Sequence, residues 1–294
     1  MERMNRTKPE LQIRPHAMND HNPLDAIVVV LHRPRKLVNI AGAVRAMKNM
    51  GLHRLRLVQP AEYNAYEIEG IAHRSADVLS ATSIHATLDD ALADAIFVAG
   101  TTARMREAGP PAATPRALAP GLLARAADGP VALLFGPEDN GLTNPELDRC
   151  HALLSIPADP AYPSLNLAQA VLLVAYELRM AGDLATPAPR RARQPAAAAQ
   201  LEDLFGAIER ALWGVEFFKS HQAEAMLRTL RSLTHRAEPE VREAALLKAM
   251  ALETLNFLRR KGVAPGLRPA EPGATRSIHG RQDHEGHADR EANT

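Results

Sequence analysis

Ile27-Val28-Val29-Val30-Leu31 is an uninterrupted apolar run, β-branched up to its last residue. Such a run predicts a strand covered on both faces. Ile40 to Met50 then reads as a helix that stops at Gly51. Leu55-Arg56-Leu57-Val58 is a second strand, and Leu88–Ala93 a short helix. Further strands follow at Ala95–Ala99, Val131–Phe135 and Ala152–Ile156, with a weaker one near Ser83–Ala86. Strands that alternate with helices predict an α/β domain, a mostly parallel sheet covered by helices. In such sheets the ligand sits outside the C-terminal ends of the strands.

Three segments begin at those ends. Residues 39–51 read Asn-Ile-Ala-Gly-Ala-Val-Arg-Ala-Met-Lys-Asn-Met-Gly, and residues 134–144 read Leu-Phe-Gly-Pro-Glu-Asp-Asn-Gly-Leu-Thr-Asn. Residues 156–170 read Ile-Pro-Ala-Asp-Pro-Ala-Tyr-Pro-Ser-Leu-Asn-Leu-Ala-Gln-Ala. The prolines of the third segment stiffen a loop and deny donors to any ladder. Ser164 stands where a helix N-cap belongs, and Leu165 to Leu178 is nearly uncharged, as in a helix buried on several sides. By itself the segment is a capped core helix. Thr101-Thr102-Ala103 follows the Ala95–Ala99 strand. Small residues there let backbone approach a ligand, and ordinary tight turns have the same composition.

In this order and at these separations, the three segments resemble the motifs of SpoU/TrmH-type RNA ribose methyltransferases. That family belongs to the SPOUT class, and the likeness is nearest to its TrmJ type. It covers about residues 25–262. The resemblance implies a C-terminal trefoil knot within the α/β domain and a homodimer. It implies 2′-O-methylation of a tRNA ribose, the pyrimidine nucleotide at the 5′ start of the anticodon loop. S-adenosylmethionine is the implied methyl donor and S-adenosylhomocysteine the product. Thr101, Thr102, Ala103, Gly136, Ile156, Pro163, Ser164 and Leu165 are the implied donor-binding positions.

The resemblance casts Arg45, six positions after Asn39, as the first catalytic residue, followed by Asn39, Glu138, Ser164 and Asn166. Methyl transfer to a hydroxyl is an in-line displacement that needs alignment and loss of a proton. Arginine is a poor base, so Arg45 reads best as a fork on the target phosphate that orients the ribose and aids the emerging alkoxide. A phosphate-coupled or water-relayed proton route stays open. In the family Glu138 fixes the first motif's Arg and Asn. Asn166 is either a ribose partner or a brace for a knot loop. Without the family, Arg45 is a solvated helix residue, Asn39 an N-cap and Glu138 a surface acid. Lys48 and Asn49 extend a polar patch from Arg45. The family often has glycine immediately before the first-motif Asn and two after it; here those positions are Val38 and Ala41, with Gly42 one step late.

Net charge is +1, so RNA binding has to rest on local patches: Arg33, Arg35 and Lys36; Arg104 and Arg106; Arg190, Arg191 and Arg193. Aromatic residues make up only 4% of the chain, which argues against recognition by extensive base stacking. The lone cysteine, Cys150, cannot close an internal disulfide; it reads as a small core residue and suits the cytoplasm. No cluster has metal-ligand spacing, so no metal is expected, and no phosphate or dinucleotide loop occurs. No apolar run is long enough to cross a membrane.

Residues 1–24 read as a flexible leader without an apolar signal core, and 25–181 as the catalytic domain. Residues 182–199 form a Pro/Ala/Arg linker. Residues 200–262 form a helical C-terminal extension, roughly 200–214, 221–234 and 238–261, and 263–294 a disordered tail. Two other readings remain: a ribosomal RNA methyltransferase, and a non-catalytic RNA-binding protein that keeps the pocket.

Overall fold

The computed structural model describes residues 22–103, 112–184, 194–218 and 223–263. Arg104, Arg106, Arg190, Arg191 and Arg193 lie outside the described residues, as do nearly all of the leader and the tail.

The strands are β1 (Ile27–His32), β2 (Arg54–Val58), β3 (Ser83–His85), β4 (Phe97–Thr101), β5 (Ala112–Ala113), β6 (Val131–Phe135) and β7 (Ala152–Leu154). They form one sheet in the order β3-β2-β1-β6-β4-β7-β5, and every pairing is parallel. The helices among them are α1 (Leu37–Met50), α2 (Ala65–Ile71), α3 (Ala76–Ser80), α4 (Leu88–Leu92), α5 (Pro115–Ala126), α6 (Asn144–Leu147) and α7 (Leu167–Leu184). The expected α/β class is therefore present.

β1 and β6 are buried along their whole length, which is why both read as continuous apolar runs. Alternate residues of β1 serve two cores. Ile27, Val29 and Leu31 pack with α1, α5 and α7; Val28 and Val30 pack with α4 and Cys150 on the other face. α1 and α7 cross tightly. A Cβ on Gly42 would lie 2.8 Å from the Ala168 Cβ, so only glycine admits this approach. The displaced glycine of the first motif thus has a packing reason.

Four expectations are corrected. β4 starts at Phe97 because the Ala95 and Ile96 amides donate to Leu92 and Pro130. α1 starts at Leu37, which leaves Asn39 inside its first turn and not at the cap. Ser164 does not cap α7. Asn166 does, accepting from the Ala168 amide at 2.9 Å while Gln169 accepts from the Asn166 amide at 3.2 Å. Nor is α7 buried on several sides: Leu172, Leu173, Tyr176 and Met180 are exposed.

The remaining helices are α8 (Ala198–Gly214), α9 (Ala223–Ala237) and α10 (Val241–Arg260). α8 packs along α10. The Ala198 amide donates to the Ala95 carbonyl at 2.8 Å, and Arg228 pairs with Asp148 at 3.0 Å. Arg125 and Glu238 form another ion pair to this group of helices. His235 of α9 stacks on His151, ring centroids 4.3 Å apart. These contacts seat the three helices on the sheet domain. Among the described residues, no helix is long and apolar enough to cross a membrane.

Candidate functional site

The C-terminal ends of β4, β6 and β7 open onto a cavity of about 340 Å³. All the residues expected to hold a methyl donor line it: Thr101, Thr102 and Ala103 after β4; Gly136 after β6; Ile156, Pro163, Ser164 and Leu165 after β7. Their convergence follows from strand order, because β4 lies between β6 and β7. Thr101 Oγ1 donates to the Leu134 carbonyl at 3.2 Å, and the Thr102 amide to the Leu154 carbonyl at 2.9 Å. Each bond ties the β4 end to a neighbouring strand.

The turn after β6 folds back sharply. The Gly141 amide donates to the Pro137 carbonyl at 2.9 Å, and Gly141 has φ 63°. A Cβ on Gly136 would fall 2.4 Å from the Gly141 carbonyl carbon, so a side chain there would collide with backbone. Asp139, Asn140, Gly141 and Leu142 also line the cavity, although the sequence singled out only Gly136 and Glu138 in this stretch. The signal present was the dense turn chemistry of Pro137 to Gly141.

Glu138 lines the cavity and reaches the start of α1. It accepts from Asn39 Nδ2 at 2.7 Å, from the Arg35 amide at 3.0 Å and from the Lys36 amide at 3.3 Å. Burial alone raises the carboxyl's pKa; the Asn39 amide and the backbone N–H groups of Glu138, Arg35 and Lys36 outweigh it and hold it below the ordinary value. Asn166 Nδ2 donates to Asn39 Oδ1 at 2.9 Å. Residues from all three sequence motifs therefore meet in one chain of hydrogen bonds, Asn166 to Asn39 to Glu138.

Arg45 stands apart. It is exposed on α1 and does not line the cavity, and Glu138 holds Asn39 and two backbone amides in place of the expected guanidinium. At 3.6 residues per turn, Arg45 shares a stripe of α1 with Val38, Gly42 and Asn49. Lys48 turns away from that patch to pair with Asp77 at 2.7 Å. Between β1 and α1, Arg33, Arg35 and Lys36 are exposed; Arg35 pairs with the cavity-lining Asp139 at 2.8 Å, and Arg33 Nε donates to Gln59 at 3.0 Å. Cys150 is fully buried beneath β4 and β6, away from any such role. No group of three or more His, Cys, Asp or Glu that could hold a metal occurs among the described residues.

Comparison with known proteins gives concordant matches. Residues 26–176 match the model of the SpoU rRNA methylase family, and residues 199–262 that of the C-terminal domain of the tRNA methyltransferase TrmJ. The chain is 39% identical over 232 residues to the tRNA (cytidine/uridine-2′-O-)-methyltransferase TrmJ of Cronobacter sakazakii, covering 77% of this chain and 95% of that one. Against the protein of the same name from Sodalis glossinidius, identity is 35% over 254 residues, covering 85% and 100%. The crystal structure of TrmJ from Z. mobilis ZM4 superposes with a TM-score of 0.68 at 32% identity, covering 78% of this chain and 98% of that one.

Proposed function

Because this chain belongs to the SpoU methylase family, we propose that it methylates the 2′-hydroxyl of a ribose in tRNA, at the pyrimidine that begins the anticodon loop. The observation that carries this reading is the convergence of the strand-end segments on one cavity, with the Asn166–Asn39–Glu138 chain at its edge. The match of residues 199–262 to a TrmJ C-terminal domain favours tRNA over ribosomal RNA.

The cavity suits S-adenosylmethionine. It has the volume of a small-molecule site, walls of small residues and backbone, and a Gly136 corner that any Cβ would fill. Seated there, the donor supplies an electrophilic methyl group on a sulfonium. Thr101, Thr102, Ala103 and Gly136 bring main-chain groups to its edge, and Ile156 and Leu165 provide an apolar wall. Ser164 is among the lining residues, and its role in this reading is to offer a hydroxyl to the incoming sugar. Asn39, Glu138 and Asn166 hold the first and third motifs against the second, so that the ribose and the methyl group are aligned. Arg45 forks onto the target phosphate. The fold closes through the knot of its class.

A second copy of the chain completes this arrangement. Leu172, Leu173, Tyr176 and Met180 fall within about 100° of arc on α7. Val38, 56% exposed, continues the apolar surface on α1, and Arg45 sits on the same stripe. The Gly42–Ala168 crossing joins the two helices there. A homodimer built on this face covers the apolar arc and carries Arg45 into the interface. Arg33, Arg35 and Lys36 form an exposed basic patch between β1 and α1, and duplicating weak basic patches raises the affinity of a near-neutral chain for RNA. The reaction needs no metal, and the enzyme works in the cytoplasm.

Incubation with bulk tRNA and labelled S-adenosylmethionine, followed by mapping of the modified ribose, tests the proposal. Label at the first anticodon-loop pyrimidine with wild type, and none with Arg45→Ala, is expected. Label in ribosomal RNA alone, or no label with intact donor binding, overturns it.

A further inference from the structure

We propose that Arg33 is a pre-oriented clamp for a phosphate of the RNA and that Gln59 is the positioning residue that holds it; this rests on the tRNA reading above and adds to it a contact outside all three motifs.

β1 and β2 lie side by side and end together. His32 pairs with Val58 in the register, and Arg33 and Gln59 are the residues that follow. Both have left-handed backbone, φ 50° and 46°. Neither is glycine, so both are strained. Arg33 also precedes Pro34, and a proline ordinarily drives the residue before it to extended backbone. Both residues are exposed, so burial of their side chains does not account for the strain.

Hydrogen bonds hold the pair in place. The Arg33 amide donates to the Val58 carbonyl at 2.8 Å, the Gln59 amide to the His85 carbonyl at 3.1 Å, and the Ala61 amide to the Pro34 carbonyl at 3.0 Å. Gln59 Nε2 donates to the Ala86 carbonyl at 2.6 Å, and Gln59 Oε1 accepts from Arg33 Nε at 3.0 Å. One arginine side chain is thus anchored through a relay that runs from β1 across β2 to the end of β3.

The anchoring group is neutral. Arg35, Arg56, Arg149 and Arg228 each face a carboxylate. Among the described residues Arg33 forms no ion pair, and its side chain uses one of five N–H donors. Four donors remain on the two η nitrogens of a guanidinium that is held at Nε and keeps its whole charge. A bidentate phosphate contact takes just such a fork. An acid at position 59 would hold the side chain equally well and cancel that charge. Ordering a long side chain beforehand also lowers the entropy lost on binding.

The clamp stands beside the donor cavity. Leu31 pairs with Phe135, and Gly136 and Pro137 of the cavity wall follow on β6 as His32 and Arg33 do on β1. Neighbouring strands lie about 5 Å apart. Arg35, two residues on, gives its amide to Glu138 of the same wall. A strand whose ribose enters the cavity therefore passes close to Arg33. With Arg45 on the target phosphate, Arg33 takes a second one.

The test measures tRNA binding to the full-length protein by fluorescence anisotropy over a range of salt concentrations, with turnover and S-adenosylhomocysteine calorimetry in parallel. Arg33→Asn removes the guanidinium without adding strain, because asparagine tolerates left-handed backbone. We expect its dissociation constant for tRNA to rise about five- to tenfold and its salt slope to become shallower by about one. KM should rise with it, while kcat and affinity for S-adenosylhomocysteine stay within about twofold. Gln59→Met leaves the charge unchanged and frees Arg33 Nε; a loss of about threefold in tRNA affinity is expected. The double variant should bind no worse than Arg33→Asn alone. Arg33→Lys should keep the salt slope and still lose about threefold, since an ammonium has no planar fork. Wild-type tRNA affinity in Arg33→Asn, or full recovery in Arg33→Lys, overturns the clamp and leaves the tRNA reading intact. Wild-type affinity in Gln59→Met, or additive losses in the double variant, overturns the part given to Gln59. No binding of tRNA by the wild type overturns the tRNA reading, and the clamp with it.

Discussion

Asn166 Nδ2 donates to Asn39 Oδ1 at 2.9 Å, although 127 positions separate the two residues. The same Asn39 gives its Nδ2 to Glu138 at 2.7 Å. Its amide is thus polarised: the donor end faces a carboxylate and the acceptor end faces another amide. Neither an acid nor an apolar residue of similar size reproduces both.

Asn39→Asp tests that polarity. It sets a second carboxylate against Glu138 and removes a donor. Glu138 now has a depressed pKa, so its contribution to stability is present above the ordinary carboxylate range and is lost as pH falls through its folded pKa. In the variant the repulsion acts at neutral pH and fades as the pair takes up a proton. Urea unfolding at pH 7.5 should show a loss of about 1–3 kcal/mol, shrinking toward pH 5, and methylation should fall by at least about 100-fold at neutral pH. An unchanged rate would remove Asn39 from the alignment scheme.

Arg45→Lys separates charge from geometry. The side chain is exposed and lines no part of the cavity, so neither folding nor donor binding should change. Turnover should drop by about 100-fold or more, because an ammonium cannot make the planar fork onto phosphate. Calorimetry with S-adenosylhomocysteine alongside turnover on tRNA gives the comparison. Near-full turnover in the lysine variant would show that a point charge suffices.

Gly136→Ala probes the turn after β6. The added Cβ meets backbone atoms of Gly141 and Leu142 at 2.4 and 2.5 Å, and no flexible side chain can yield. The turn must open or the cavity must distort. Donor binding should weaken by more than about tenfold, with a stability loss of about 1–3 kcal/mol from overpacking. Gly141→Ala, at φ 63° with open space around its Cβ, should cost only the left-handed backbone strain, about 1–2 kcal/mol.

The central strands were legible because burial on both faces leaves a continuous apolar run, as in Ile27–Leu31 and Val131–Phe135. α5 was not, because Pro115, Pro120 and Gly121 read as punctuation. It forms nonetheless: Pro115 takes the first turn, Thr114 accepts from the Ala117 amide, and Leu122 and Leu123 are buried. At the site, the family resemblance named the donor-binding positions among the lining residues, and strand order brought them together. What periodicity could not supply was pairing across the chain, such as Asn166 with Asn39 or Asn39 with Glu138. Ser164 won the sequence assignment of the cap, although the spacing of Asn166 and Gln169 was the better signature.

The seating of α8–α10 should weaken in mild acid. His151 and His235 stack at the junction, both buried, and the Val98 amide donates to His151 Nδ1 at 3.1 Å. Burial pushes the His235 pKa down to about 4; Arg231 adds to this, while Glu202, the Cys150 backbone and Asp148 act against it. Burial also pushes His151 well below its usual value, with His235 and Arg125 acting in the same direction. A histidine whose folded pKa is depressed stabilises the fold fully above its unfolded pKa, and that stability is lost as pH falls toward the folded value. For His235 the window runs from about 6.5 to about 4. The loss between pH 7.5 and pH 5 should be about 2 kcal/mol from this residue. Asp77, Asp89 and Asp94 have lowered pKa values, so their contributions fade only at more acid pH and do not mask it. Urea unfolding of wild type and His235→Gln at both pH values measures the difference. The glutamine keeps a donor for the Cys150 carbonyl but takes up no proton, so its stability should fall by about 2 kcal/mol less than wild type over this interval. Parallel losses in the two proteins would place the acid sensitivity elsewhere.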